Sequence, residues 1–295
     1  MKALFLKFSA WMARILPPGI KRALYRWPPL ARLLRASLNR AAPKGRTNVQ
    51  VAAGELTGVR LVLDLQSEKD YWLGTYETDL QQAVRALVQP GWVAYDVGAN
   101  LGYISLLLAR LVGPAGQVQA FEALPDNLAR LRQHLQLNQL DGRVQVFAGA
   151  VIDRSGPVRF LLGPSGAMGK AEGSAGRSKS DRPGEADAIE VAGISLDDYV
   201  YQHRHRPPQV IKLDIEGGEV LALQGMTRLL REARPLLLVE LHGPEAARVT
   251  WETLAAHAYR ICRMQAGFPP VHSLQALDWK AYLVAFPEPV GQVAT

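Results

Sequence analysis

The stretch that decides the fold is DVGANLGY, residues 96–103, which lies between an apolar run and an amphipathic segment. The apolar and aromatic residues 92–95 predict a short buried strand. The residues that follow place apolar side chains at helical spacing, namely Ile104, Leu107, Leu108 and Leu111. The glycine turn therefore predicts a strand-to-helix crossing. Glycines allow such a tight turn, and the free N–H groups of the helix start face a ligand.

Carboxylates follow two further strands. Residues 117–121 predict a strand that ends at Glu122, and residues 210–213 predict another that is followed by Asp214 and Glu216. Open α/β sheets bind ligands at the carboxyl ends of their strands, so these groups should line one crevice. An acid at the tip of the second strand is placed to hydrogen-bond a ribose diol. The pattern predicts a nucleotide cofactor.

The sequence of the glycine turn distinguishes between two cofactors that would fit this spacing of strands and acids, a dinucleotide and S-adenosylmethionine. Gly98 and Gly102 stand four residues apart with Asn100 between them, so the G-x-G-x-x-G pattern that brings the backbone against a pyrophosphate is missing. S-adenosylmethionine has no phosphate and tolerates Asn100. A carboxylate at Asp96 could receive the ammonium or hydroxyl groups of such a ligand. These features favour S-adenosylmethionine over a dinucleotide.

At this point the chain resembles the FkbM family of S-adenosylmethionine-dependent methyltransferases. The resemblance rests on the order and spacing of DVGANLGY, FEALPDN from residue 121, ISLDDY from 194, IKLDIEGGEVLALQG from 211 and RPLLLVELH from 234. It implies an α/β, Rossmann-like class I methyltransferase fold: a mainly parallel seven-stranded sheet with a C-terminal antiparallel hairpin. It also implies O-methylation of a hydroxyl on a saccharide, glycolipid or secondary metabolite, without naming the acceptor.

The same resemblance implies positions for the cofactor. The methionine end would lie at the glycine turn, the ribose at the acid after the second strand, and the adenine edge at the end of the third strand. A residue ahead of the turn would lie over the pocket. The residues concerned are Asp96, Gly98, Asn100, Gly102, Glu122, Ala150 and Glu77.

Oxygen methylation also needs a group that takes the proton of the acceptor hydroxyl. Asp214 and Glu216 follow one strand, and Glu240 and His242 end the next, which should be its neighbour. In one mechanism His242 or Asp214 is the general base, with His242 favoured because an imidazole titrates near neutrality. In the other, Asp214 and Glu240 hold Mg²⁺ or Mn²⁺, with His242 as a further candidate ligand.

Three polar residues of this region have structural interpretations. Glu219 and Glu216 lie where a carboxylate in the first turn of a helix is favoured by the positive end of the helix dipole. Lys212 lies inside an apolar strand, so we expect an ion pair with a neighbouring carboxylate rather than a catalytic role.

Charge is distributed unevenly along the chain. The net charge is +7, yet residues 1–54 carry eleven Lys and Arg and no acidic residue, which leaves −4 for residues 55–295. Residues 1–48 predict a basic amphipathic helical leader that binds an anionic membrane surface, packs on the body, or is removed as a targeting peptide. Residues 49–295 would form the methyltransferase domain. The expected location is cytoplasmic, peripheral to the inner face of the membrane.

Other function classes have less support. An NAD-linked oxidoreductase would use the same sheet but lacks its pyrophosphate fingerprint, and a non-enzymatic membrane-binding module would need a degenerate pocket. No Asn-Pro-Pro-Tyr element points to nucleic acid, so the expected partner is a small-molecule or glycan acceptor, and a homo-oligomer is compatible with the sequence. One cysteine, Cys262, gives no internal disulfide. No apolar run is long enough for a transmembrane helix.

The remaining pattern predicts the order of elements. A hairpin is expected within residues 47–65 and a single helix over residues 67–88, followed by alternating strands and helices. Residues 163–187 are rich in Gly, Ser and Pro and predict a mobile excursion. A helix over residues 219–230 and a final antiparallel hairpin from residues 258–262 and 282–286 complete the prediction.

Overall fold

The computed structural model describes residues 40–163, 168–175, 187–278 and 280–289, together with Met12. The chain divides into two compact units, Met1–Gln81 and Gln82–Thr295. Most of the predicted leader, and residues 164–167 and 176–186 of the predicted excursion, lie outside the described residues. The domain boundary at residue 48 therefore stays a prediction. Among the described residues, no helix is both long and apolar enough to cross a bilayer.

The first unit contains the predicted hairpin, formed by β1 (Arg46–Gln50) and β2 (Arg60–Asp64), which pair antiparallel. The single helix predicted over residues 67–88 is wrong. Two helices occupy this stretch, α1 (Lys69–Leu73) and α2 (Thr78–Leu87). Gly74 ends α1 with a φ of 72°, and a Cβ there would lie 1.8 Å from the Ala53 carbonyl oxygen. This close approach requires glycine and interrupts the helix.

The second unit alternates strands and helices. In chain order it contains β3 (Val93–Val97), α3 (Tyr103–Val112), β4 (Gln117–Glu122), α4 (Pro125–Leu137), β5 (Val144–Val151), β6 (Gly156–Leu162), β7 (Gly169–Ala171), β8 (Ala188–Ile194), β9 (Val210–Leu213), α5 (Glu219–Gln224), α6 (Thr227–Glu232), β10 (Leu236–Glu240), α7 (Pro244–Ala256), β11 (Tyr259–Arg263) and β12 (Tyr282–Pro287). A π-helical turn at Asp198–Gln202 and a 3₁₀ turn at Leu274–Ala276 complete it.

These strands form one sheet in the order β11-β12-β10-β9-β3-β4-β5-β8-β6-β7. The seven strands from β11 to β5 are the expected seven-stranded sheet, parallel except for β12, which pairs antiparallel with β10 and β11. The predicted fold and its C-terminal antiparallel hairpin are confirmed. Three further strands extend the sheet beyond β5, because the two flanks of the predicted excursion pair with each other as β6 and β8.

The sheet is buried along its central strands: every residue of β3, β9 and β10 is buried, as expected of parallel strands covered on both faces. The single helix predicted over residues 219–230 is wrong, since α5 and α6 are separate. The break lies at Gly225, where a Cβ would come within 2.2 Å of the Ile152 carbonyl oxygen, and Met226 takes a non-helical φ of −135°.

The order of strands also locates the ligand crevice. The chain passes from β3 outward to β4 and β5, then returns to β9 on the other side of β3. The direction of the sheet order thus reverses between β3 and β9. Ligands of open α/β sheets bind outside the carboxyl ends of the strands at such a reversal.

Candidate active site

The glycine turn at the end of β3 packs against its own chain. Gly98 has a φ of 79°, and a Cβ there would lie 1.9 Å from the Asp214 carbonyl oxygen; Gly102 has a φ of 92°, and its Cβ would lie 2.4 Å from Leu131 Cδ1. Asn100 between them is also left-handed, with a φ of 52°. The sequence expectation was that glycine clears space for a ligand. The structure shows that both glycines first clear space for neighbouring protein atoms.

A buried lysine joins this turn to the next strand. Lys212 Nζ donates a hydrogen bond to the Gly98 carbonyl oxygen at 2.7 Å, and it lies 3.4 Å from Asp96 Oδ1 and 3.3 Å from Asp214 Oδ2. The predicted ion pair of Lys212 is confirmed. Asp96 is fully buried and also accepts a hydrogen bond from Ser105 Oγ at 2.5 Å. Its carboxylate is thus engaged within the protein, and direct contact with a cofactor stays a prediction.

Glu122, at the tip of β4, is fixed by backbone donors. Its Oε2 accepts the N–H of Asn100 and its Oε1 accepts the N–H of Leu124, both at 2.8 Å, while Asn127 Nδ2 lies 3.4 Å from Oε1. Burial raises the pKa of Glu122, and these hydrogen bonds together with the charge of Lys212 oppose that rise. Oε1 accepts two of these bonds and Oε2 accepts one, so Oε2 can accept a further hydrogen bond. The group is therefore oriented and still able to accept a hydrogen bond from a ribose hydroxyl.

The two other predicted cofactor residues lie in different surroundings. Ala150 is buried near the end of β5 in an apolar cluster that includes Ala123 and Leu124. Apolar side chains of this kind can pack against the edge of an aromatic base such as adenine. Glu77 belongs to the first unit, where it takes a φ of 41° in the turn ahead of α2. Its place over the cofactor stays a prediction.

At the ends of β9 and β10 the structure brings the four predicted catalytic side chains together. The Nε2 atom of His242 lies 3.6 Å from Glu240 Oε1, 3.8 Å from Asp214 Oδ1 and 3.8 Å from Glu216 Oε2. Facing the other ring nitrogen, Glu219 Oε1 lies 3.1 Å from Nδ1. One imidazole is thus surrounded by four carboxylates.

These carboxylates change the titration of His242. Burial lowers its pKa, but the hydrogen bond with Glu219 and the negative charges of Glu219, Asp214 and Glu216 outweigh burial and raise the pKa to about 9. The sequence expectation of titration near neutrality is wrong for this environment. At pH 7 the imidazole in this cluster is protonated, so it holds carboxylates together and cannot accept a further proton.

Sequence reasoning missed the role of two residues in this cluster. Glu219 is fully buried, and its Oε1 also accepts the N–H of Ile215 at 3.0 Å, which ties the turn after β9 to His242. In the sequence, its position three residues after Glu216 is the signal that could have assigned it to this cluster. Lys280 precedes β12, and its Nζ lies 3.1 Å from Glu240 Oε1. Nothing in the local sequence identifies Lys280, because only the pairing of β12 with β10 brings it there.

Glu216 occupies a constrained turn. It is left-handed, with a φ of 54°, and its side chain is 44% exposed. Burial raises the pKa of Glu216, and the charges of Asp214 and Glu240 act in the same direction against that of His242. The next residue, Gly217, accepts a hydrogen bond from Ala175 N–H at 2.8 Å, and a Cβ on Gly217 would lie 2.2 Å from the Ala175 carbonyl oxygen. The described segment after β7 therefore packs directly on this turn.

The cluster has the composition of a divalent cation site. Asp214, Glu240 and His242 each offer one ligand atom, and these three atoms lie within 4.8 Å of one another. Carboxylate oxygens suit Mg²⁺ and Mn²⁺, and imidazole nitrogen is accepted by Mn²⁺ and later transition metals.

The family described as Methyltransferase FkbM domain matches residues 96–261, from the end of β3 to β11 and over more than half of the chain. The chain belongs to the FkbM methyltransferase family. It is accordingly an S-adenosylmethionine-dependent methyltransferase. The matched residues include the buried Asp96, Glu122, and His242 with the four carboxylates that surround it.

Relatives of this FkbM member include two named methyltransferases. Hexuronic acid methyltransferase AglP of Haloferax volcanii is 27% identical over 192 residues, covering 64% of this chain and 73% of the relative. The 31-O-demethyl-FK506 methyltransferase FkbM of Streptomyces tacrolimicus is 27% identical over 206 residues, covering 62% of this chain and 74% of the relative. A crystal structure of Methyltransferase FkbM from Methylobacillus flagellatus is similar with a TM-score of 0.44 and 18% identity, over 75% of this chain and 53% of that one.

Proposed function

We propose that the protein transfers the methyl group of S-adenosylmethionine to a hydroxyl oxygen of a saccharide, glycolipid or secondary metabolite. The observation that carries this proposal is the group of four carboxylates around His242 at the ends of β9 and β10, next to the glycine turn of β3. The names of two relatives, one a hexuronic acid methyltransferase and one an O-demethyl-FK506 methyltransferase, support an acceptor of this kind.

On the cofactor side, Glu122 would accept a hydrogen bond from a ribose hydroxyl. It would use the acceptor position of its carboxylate that the backbone N–H donors do not occupy. The turn of Gly98, Asn100 and Gly102 would receive the methionine end, and Ala150 would line the adenine edge. Asp96 supports the turn through Ser105 and the Lys212 ammonium.

On the reaction side, the acceptor oxygen attacks the methyl carbon in line with the sulfur. The new O–C bond forms as the C–S bond breaks, and its electron pair stays on sulfur, which changes from a sulfonium to a neutral thioether. The hydroxyl proton passes to a carboxylate of the cluster. Asp214 is the favoured base, because His242 already carries a proton at neutral pH, and Glu216 and Glu240 can take the proton onward.

A second route for the same step uses a cation. Asp214 and Glu240 are candidate ligands of Mg²⁺ or Mn²⁺, and a divalent cation bound there would lower the pKa of the acceptor hydroxyl. In that route Asp214 and Glu240 would be bound to the cation, so Glu216 would receive the proton. The side chain of Glu216 is half exposed, and burial raises its pKa.

The proton acceptors of the cluster favour a hydroxyl acceptor over a carboxylate acceptor. A carboxylate has no proton to lose, so a group of proton acceptors would contribute nothing to its methylation. A hydroxyl loses its proton as it is methylated, and Asp214, Glu216 and Glu240 lie together where they could receive it.

The test uses S-adenosylmethionine with a radioactive methyl group and a panel of neutral sugars, uronic acids and glycolipids, with and without Mg²⁺ or Mn²⁺. The expected product keeps its label after mild alkali, because a methyl ether resists hydrolysis that cleaves a methyl ester. Asp214→Asn should lose transfer, whereas Glu252→Gln, an exposed residue of α7, should keep it. Label that is released by alkali, or full transfer by Asp214→Asn, would overturn the proposal.

We also propose that the basic leader holds the protein at an anionic membrane surface on the cytoplasmic side. Support comes from the eleven basic and no acidic residues of positions 1–54. The full chain should co-sediment with vesicles containing one-third phosphatidylglycerol and not with phosphatidylcholine vesicles. Replacing Lys7 and Arg14 by glutamine should weaken this binding several-fold, and unchanged binding would contradict the proposal.

A further inference from the structure

We infer that Asp214, Glu240 and the Nε2 atom of His242 form a three-ligand site for Mn²⁺, and that Glu219 is the positioning residue that aims His242 at it. The inference rests on the proposed function, since it specifies how that same site handles the acceptor hydroxyl. It goes further by committing to the ligand set, to the cation and to a fifth residue.

The ligand atoms are close to the separation that one cation requires. Nε2 of His242 lies 3.6 Å from Glu240 Oε1 and 3.8 Å from Asp214 Oδ1. Two ligands bonded at about 2.1 Å to one cation lie about 3.0–3.4 Å apart. The two His242 pairs therefore need to close by about half an ångström, and the ligand oxygens of Asp214 and Glu240 lie within 4.8 Å of each other.

Glu219 decides which nitrogen of His242 faces the carboxylates. Its Oε1 lies 3.1 Å from Nδ1 and also accepts the Ile215 N–H, so the carboxylate is held at two points. With Nδ1–H bonded to Glu219, the proton that an incoming cation displaces is the one on Nε2, which leaves the Nε2 lone pair as the ligand, the arrangement that metal-binding histidines use. The ring is thus oriented toward Asp214 and Glu240 before any cation arrives.

A second feature of Glu219 is an unsatisfied oxygen. Its side chain is fully buried, and its Oε2 has no hydrogen-bond partner among the described residues. Burying a carboxylate with an unsatisfied oxygen is costly unless positive charge stands nearby. The protonated His242 ring supplies one positive charge 3.1 Å from Glu219 Oε1, and a divalent cation that replaced the Nε2 proton would increase the positive charge that faces this carboxylate.

The lysines of the cluster leave the ligand atoms accessible. Lys212 approaches Asp214 at Oδ2, at 3.3 Å, so Oδ1 remains on the His242 side. Lys280 contacts Glu240 Oε1 at 3.1 Å, but its own side chain is 51% exposed and can turn into solvent. A cation would compete with Lys280 for Glu240 Oε1 and with the proton on His242 Nε2.

Among Mg²⁺, Ca²⁺ and Mn²⁺, the donor set favours Mn²⁺. Two carboxylate oxygens suit Mg²⁺, Ca²⁺ and Mn²⁺, but the hard cations Mg²⁺ and Ca²⁺ take oxygen ligands and gain little from an imidazole. Mn²⁺ accepts both donor types. Three protein ligands also leave coordination positions for water and for an acceptor oxygen.

Mn²⁺ binding can be measured without any acceptor, from the loss of the electron paramagnetic resonance signal of free Mn²⁺ as the full-length protein is added. One Mn²⁺ should bind per chain, and tenfold more Mg²⁺ should displace little of it. Asp214→Asn should abolish binding. Glu219→Gln, which keeps an acceptor for Nδ1 but removes the charge, should weaken binding about 10- to 100-fold. Glu252→Gln, an exposed acid of α7, should leave it unchanged.

Three results would overturn the inference: no loss of the free Mn²⁺ signal, equal binding by Asp214→Asn, or equal binding by Glu219→Gln. Circular dichroism of each variant shows whether it is folded, and His242→Gln provides an independent ligand substitution if Asp214→Asn is not. A parallel titration with S-adenosylmethionine separates the two claims. Cofactor binding without Mn²⁺ binding rejects the metal site and leaves the proposed methyltransferase function standing.

Discussion

Lys212 donates a hydrogen bond from Nζ to the carbonyl oxygen of Gly98, 2.7 Å away, across the boundary between β9 and β3. The same ammonium contacts Asp96 and Asp214, so one buried cation connects the glycine turn to Asp214. The glycine turn after β3 and the acid after β9 are therefore fixed to each other at the point where the strand order reverses.

We predict that Lys212→Met strongly destabilises the protein. The substitution leaves the fully buried Asp96 without its ion-pair partner, and removing one member of a buried pair costs about 3–5 kcal/mol. Urea denaturation measures this loss. Arg248→Met breaks the exposed pair with Glu252 and should cost less than about 1 kcal/mol. Equal losses in the two variants would contradict a special role for the buried cation.

We predict that Gly98→Ala is far more damaging than Gly91→Ala. Both glycines have positive φ, 79° and 85°, so both substitutions carry a backbone penalty of about 1–2 kcal/mol. Only at Gly98 would the new Cβ collide with the Asp214 carbonyl oxygen, at 1.9 Å, whereas nothing lies within 4 Å at Gly91. Thermal unfolding and S-adenosylmethionine titration should both show the difference. Similar melting temperatures would indicate that the turn relaxes freely.

We predict that Glu122→Gln lowers the affinity for S-adenosylmethionine by about 10- to 100-fold, since a hydrogen bond to a charged group contributes about 1.5–3 kcal/mol. The carboxylate accepts the Asn100 and Leu124 N–H groups, and a glutamine can serve only one of them with its oxygen. Isothermal titration calorimetry measures the affinity. Unchanged affinity in a folded variant would remove Glu122 from the ribose site.

We predict that stability falls with rising pH between about 6.5 and 9 in a chelating buffer. The folded protein raises the pKa of His242 to about 9, above its ordinary 6.5, so it binds the proton more tightly than the unfolded chain does. The resulting stabilisation, of order 2–3 kcal/mol, is complete below pH 6.5 and is lost as the pH passes 9. Urea denaturation across this range should show the slope.

His242→Gln should lose that slope, and the exposed His203→Gln should keep it. The tyrosines whose pKa burial raises titrate above this window, and His205, whose pKa burial lowers, titrates below it. A flat profile in the unmodified protein would contradict the raised pKa of His242.

The sequence predicts the elements of this site that depend on strand order. Asp214 and Glu240 follow neighbouring parallel strands, so their meeting at one edge follows from topology alone, and the structure brings them together with His242. The ion pair of Lys212 also follows, because an ammonium inside a buried strand requires a carboxylate.

Other features depend on contacts between distant residues. In the sequence, Glu219 is indistinguishable from an acid that stabilises the first turn of a helix. It contacts the Nδ1 atom of His242 because β10 lies beside β9 in the sheet. The breaks at Gly74 and Gly225 arise where backbone from elsewhere, at Ala53 and Ile152, comes too close for a Cβ. Local periodicity contains no information about such approaches.

The most direct test of the proposed role of the cluster separates binding from transfer in the variant Asp214→Asn. S-adenosylmethionine affinity is measured by calorimetry, and methyl transfer is measured with the acceptor that gives an alkali-stable product. Cofactor affinity should stay within about threefold of that of the unmodified protein, and transfer should fall below about one-hundredth of its rate, because Asp214 takes part in removing the acceptor proton. Transfer at the unmodified rate would contradict a role for Asp214 in the reaction.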